Sequence, residues 1–126
     1  MSLFQCAIVF IILNTIVIAF QFGLALGMPW GAASMGGKYP GKYPTKMRFL
    51  AVFYALTLIS TNIFVLSKSQ VISIISYPFS KILIWVVVAF YFLSTILNIL
   101  TPSKIEKIWA PVSIILFILS LFIANN

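Results

Sequence analysis

The segment Gly23–Arg48 reads GLALGMPWGAASMGGKYPGKYPTKMR. It holds all six glycines of the chain, three of its six prolines and four of its eight cations, and no acid. The sequence on either side is almost unbroken hydrocarbon. Hydrophobic residues make up 63% of the 126 and charged residues 7%, against about 25% charged in an ordinary soluble domain. The mean hydropathy is +1.18. This contrast predicts a small polytopic membrane protein, all-α, with one embedded domain over residues 1–126.

Working outward, Leu3 to about Leu26 is apolar on nearly every face. Its 24 residues rise roughly 36 Å at ~1.5 Å each, enough to cross a ~30 Å hydrocarbon core. Asn14 and Gln21 lie seven apart on one face and are expected to point at other helices. Gly23 and Gly27 form a G-x-x-x-G, which suits a close helix approach. With Pro29 so near, a helix end running into the glycine-rich loop is the favoured reading. The N-terminus lacks a basic n-region, and its apolar run is too long for a signal h-region, so a retained span is expected.

Three more spans follow, at about 49–67, 82–100 and 108–124. The fold expected is therefore a four-helix transmembrane bundle with a long Gly/Pro-rich loop between helices 1 and 2. Within that loop Gly37-Lys38-Tyr39-Pro40 is repeated as Gly41-Lys42-Tyr43-Pro44. Each copy predicts a turn, with a Tyr for the headgroup zone and a Lys for phosphate. Residues 69–80 are too short to cross and too apolar for a free loop, and Pro78 is expected to keep a helix from running through them. Pro111 falls in the first turn of helix 4 or a little deeper, where it would kink it. The loops between helices 1–2 and 3–4 carry Lys38, Lys42, Lys46, Arg48, Lys104 and Lys107; the other carries Lys68 and Lys81. By the positive-inside rule both termini lie outside and loop 28–48 is cytoplasmic, in the cell (inner) membrane.

The polar residues are few enough to weigh singly. There is no histidine, and Glu106 is the one acid, so neither a catalytic triad nor a carboxylate dyad can be built. No catalytic residue, metal site or cofactor is expected, and an enzyme is the least favoured class. Ser103 and Glu106 have the spacing of a capping box at the start of helix 4. That reading is preferred over a proton-coupling acid, which would belong at mid-membrane. Arg48, the single arginine, either pairs with Glu106 or is an ordinary flanking cation. Tyr54, Thr57 and Thr61 form one stripe, and Ser94 and Asn98 share a face. Asn14, Thr57, Thr61 and Asn98 are candidates to line a polar path, with interhelical hydrogen bonding the default alternative. A net charge of +7 confined to short loops points to the lipid bilayer and anionic headgroups rather than nucleic acid.

Two clusters also carry a resemblance. Gly27-Met28-Pro29-Trp30-Gly31, Gly36-Gly37, Pro40-Gly41, Pro44 and Arg48 resemble a loop of an uncharacterised family of small four-helix bacterial integral membrane proteins. Asn98, Pro102-Ser103, Glu106, Trp109 and Pro111 resemble that family's second motif. The resemblance implies four helices, a bacterial envelope and two motifs meeting on one face. It makes Trp30, Gly31, Arg48, Asn98, Ser103, Glu106 and Trp109 the candidate motif residues, and it supplies no substrate. The chain has the size of small multidrug transporters and fluoride channels. Position 14 is Asn where the former carry a first-helix glutamate, and the Thr-Thr-Phe-Ser signature of the latter is missing. Two functions are therefore carried forward. One is a non-enzymatic accessory protein that binds another membrane protein or anionic lipid. The alternative is a small oligomeric transporter or channel.

Overall fold

The computed structural model describes all residues 1–126 and is all-α, with four long helices: α1 (Leu3–Leu26), α2 (Thr45–Lys68), α3 (Tyr77–Leu100) and α4 (Trp109–Asn125). Counting the 3-10 turn that leads into α4, all four are long and apolar enough to cross a membrane, which is compatible with a multi-pass membrane protein. Each helix packs on the next and α4 returns to α1, an up-and-down bundle. The main core holds Phe10, Ile18, Leu58, Val65, Ile84, Val87, Leu116 and Ile123. Small residues stand among the buried contacts, notably Ala7, Ala55, Ser113 and Ser120. They let helix backbones approach where hydrocarbon gives no driving force of its own.

The helix ends depart from the sequence reading in ways that local chemistry explains. α1 opens on a capping box: Ser2 Oγ accepts from Gln5 N–H at 3.1 Å and Gln5 Oε1 from Ser2 N–H at 2.9 Å. Its C-terminus is a Schellman turn. Gly27 is left-handed at φ 95°, and Met28 N–H reaches Gly23 O at 2.9 Å. A Cβ on Gly23 would lie 2.0 Å from the Trp30 ring, so that glycine seats an aromatic of its own chain and not a second helix. α2 begins at Thr45, four residues before the expected start, because Lys46 and Arg48 are charged yet helical. α3 begins at Tyr77 with Pro78 in its first turn, where the missing N–H has no helical partner to lose. Pro78 thus starts the helix, and the irregular connection shrinks to residues 69–76. Pro111 likewise sits in the first turn of α4, so it does not kink the span.

The α1–α2 connection carries two 3-10 turns, Gly31–Ala33 and Met35–Gly37. The glycines that open the two Gly-Lys-Tyr-Pro copies both take positive φ, 73° at Gly37 and 77° at Gly41. Tyr43 does not face outward to meet headgroups: it is buried in a small core with Leu24, Met47 and Ala51, and its hydroxyl bonds Ser34. Burial pushes the Tyr43 hydroxyl above the ordinary tyrosine range, with the Glu106 charge adding to the rise. Gly31 is where the connection crosses itself. Its N–H donates to Gly41 O at 2.9 Å, and an added Cβ would stand 1.8 Å from Tyr39 O.

That crossing gives a direct expectation. Gly31→Ala must displace backbone and should destabilise by roughly 1–3 kcal/mol, as overpacked sites do. Gly41→Ala meets no atom within 4 Å and strains only its own φ, so it should cost less. Thermal melts in detergent compare the two; equal melting temperatures would refute the crossing.

Candidate functional site

The polar residues separate into two places. The first is the bundle centre, where Asn14 is fully buried. Its amide nitrogen lies 2.8 Å from Asn62 Oδ1, 3.1 Å from Thr61 Oγ1 and 3.1 Å from Leu58 O. Its Oδ1 accepts from Tyr91 OH, and Thr61 and Tyr91 hydroxyls are 3.2 Å apart. One side chain of α1 is therefore tied to α2 and α3 at once. Of the four residues expected along a polar path, Asn14 and Thr61 meet here, but they bond each other. Thr57 turns back to Phe53 O of its own helix at 3.0 Å. Asn98 lies elsewhere and donates to Ser113 Oγ at 3.2 Å. Tyr91 escaped the sequence reading, which named only Tyr54 among the tyrosines within spans; its signal was a hydroxyl in mid-span.

The second place is the end of the bundle where the α1–α2 and α3–α4 connections lie together. They are joined by three hydrogen bonds: Ser103 Oγ to Ala32 O (2.5 Å), Trp109 Nε1 to Ala33 O (3.1 Å) and Gly36 N–H to Glu106 Oε1 (3.1 Å). Phe20 of α1 lies between the indoles, stacked on Trp30 at 6.0 Å and tilted against Trp109 at 4.8 Å. Ser103 also accepts from Glu106 N–H at 3.2 Å, the forward half of the expected capping box. The return half is replaced. Ser103 N–H bonds Thr101 Oγ1 at 3.2 Å, and the Glu106 carboxylate accepts from Gly36 N–H and the Thr101 hydroxyl.

The Arg48–Glu106 pair does not form. Arg48 Nε donates to Ala25 O at 2.7 Å, capping the last carbonyls of α1 as a cation there should. At the opposite end of α2, Lys68 is buried and donates from Nζ to Ile123 O at 3.0 Å, doing the same for α4. Neither cation is a simple flanking charge.

Below the joined connections lies a cavity of about 620 Å³. Its side walls are the N-terminal half of α2 and the C-terminal half of α3, with Phe20 and Gln21 of α1 and Trp109, Val112 and Leu116 of α4 behind. Ser34, Gly36 and Tyr43 form its roof, and Ser94, Asn98 and Glu106 give it polar points. Leu50, Phe53, Leu97 and Leu100 line it and are also exposed, so it opens between α2 and α3 on the apolar exterior. Such a space, mostly apolar with a few convergent polar groups, is the ordinary form of a small-molecule site. No group of three or more Cys, His, Asp or Glu residues stands together to hold a metal.

Comparison with family models, curated proteins and solved structures finds no match to this chain.

The Asn14 cluster makes a prediction of its own. Asn14→Leu strands the Tyr91 and Asn62 side chains in apolar surroundings and should cost about 1–3 kcal/mol. Adding Tyr91→Phe should cost less than the sum of the single changes, since both remove one network. Strictly additive melting shifts would show that the two residues act separately.

Proposed function

We propose that this chain is a non-enzymatic accessory protein of a bacterial inner membrane that works by binding, with the cavity between α2 and α3 as its site. The observation that carries this reading is that the deepest polar side chains are spent on one another. Asn14, Thr61, Asn62 and Tyr91 close a hydrogen-bonded cluster, leaving no row of free polar groups to guide a solute across. Polar groups with spare capacity, Gln21 and Asn98 among them, line instead a half-open cavity at one end. Interhelical bonds of this sort average ~0.6 kcal/mol each and serve mainly to fix helix positions. The transporter or channel reading needs those groups for solvation of a solute and finds them occupied. The bacterial assignment rests on the sequence resemblance, and the function on the geometry.

Native mass spectrometry of the protein released gently from its own membranes tests the binding reading. A retained small molecule, or a stoichiometric complex with a different membrane protein, is the expected result. A bare homo-oligomer whose reconstituted solute flux is abolished by Asn98→Ala would overturn it in favour of a pore.

For orientation, we infer both termini outside and the α1–α2 connection in the cytoplasm, because six cations lie at that end against two at the other. A protease-sensitive tag at either terminus should be cleaved in intact spheroplasts. Cleavage only after lysis would reverse the topology.

A further inference from the structure

We propose that the cavity takes an amphipathic amine, a single apolar body ending in a protonated amino group held by Glu106. This rests on reading the chain as a binding protein and says what it binds.

Glu106 is the one acidic side chain in a protein of net charge +7, and it has no cationic partner. Its Oε1 accepts from two neutral donors, Gly36 N–H and the Thr101 hydroxyl. Arg48, the cation expected beside it, is committed elsewhere, to Ala25 O. Oε2 accepts no hydrogen bond from the chain, and Glu106 lines the cavity. Glu106 is partly buried, and its unbonded oxygen stands at an apolar wall with room for a counter-charge.

Two further acceptors line the same cavity. Asn98 engages only its amide nitrogen, which leaves Oδ1 available, and the Gln21 side chain lines the wall without a hydrogen bond. An ammonium group offers three donors and no acceptor, which suits a wall whose unbonded oxygens include a charged one. A carboxylic acid or phosphate would meet the Glu106 charge with its own. The remaining wall is mainly apolar and opens toward the exposed faces of α2 and α3, so the body of the ligand is hydrocarbon or aromatic. A volume of about 620 Å³ lies within the range that encloses one drug-sized molecule. The net positive charge opposes any cation from afar, so a preference for amines has to come from this local site.

The test uses the full chain in phosphatidylcholine nanodiscs, titrated with dodecylamine and with dodecanol and followed by tryptophan fluorescence, Trp109 being in the cavity wall. The amine should bind about tenfold or more tighter than the alcohol, the gain of pairing opposite charges over a single charge-assisted hydrogen bond. Glu106→Gln keeps an oxygen for Gly36 and Thr101; it should bring the two affinities together, chiefly by weakening the amine. Equal affinities in the unsubstituted protein would overturn the amine while leaving the binding reading intact. No saturable binding of either probe would overturn both. Competition from phosphatidylethanolamine added to the nanodiscs would keep the amine and overturn the single-chain body.

Discussion

The bundle depends on one buried amide. Asn14 takes bonds from or gives them to residues of α2 and α3 from a single point on α1, in a core that is mostly hydrocarbon. Apolar side chains specify little about the rotation or height of one helix against another, because many registers bury similar surface. A buried amide narrows that choice, since its unpaired alternatives leave polar groups without partners. Once Asn14 meets Thr61 and Tyr91, the levels of α1, α2 and α3 are set together. Tyr91 then brings its ring edge-on to Phe10 at 5.5 Å, so the polar joint and the apolar core support the same arrangement.

The ends of the helices obey a second constraint. The last carbonyls of a helix have no partners within it, and an apolar exterior supplies none. α1 satisfies some through Gly27 and adds Arg48 from the start of α2; α4 receives Lys68 from the end of α2. One helix thus caps two neighbours at opposite ends of the bundle, and its Arg48 and Lys68 hold parts of the structure together in a way that composition alone does not reveal.

That explains what was legible in the sequence. Hydropathy alone located four spans, and the Gly/Pro punctuation located the connection, because both are local properties. Span starts were read late at α2 and α3, since a hydropathy reading stops at Arg48 and Lys81 while the helices begin four and five residues before the expected starts. The Ser103–Glu106 spacing announced a cap and delivered half of one, because the carboxylate found Gly36 some 70 residues away. The partners of Arg48 and Lys68 are backbone carbonyls, which every residue possesses, so no side-chain pattern points to them. Tyr91 was hidden because its partners, Thr61 and Asn14, lie on other helices, 30 and 77 residues away.

The cavity follows from the same set of contacts. Trp30 folds back onto Gly23 and Phe20, Trp109 closes on Phe20 from the other side, and the connection is bonded to the start of α4 at three points. These contacts bind α1, α4 and the roof into one unit. α2 and α3 contribute no such clamp at that end: they meet at Thr61 with Tyr91, and at Tyr54 with Phe90 at 6.0 Å, and the space beyond is left between them. If the roof were a loose loop, the exposed leucines of α2 and α3 could close over the gap and bury more surface. Because the roof is built on crossed backbone at Gly31 and on stacked aromatics, it resists that collapse. The rigidity of the glycine-rich connection is what keeps the space beneath it open.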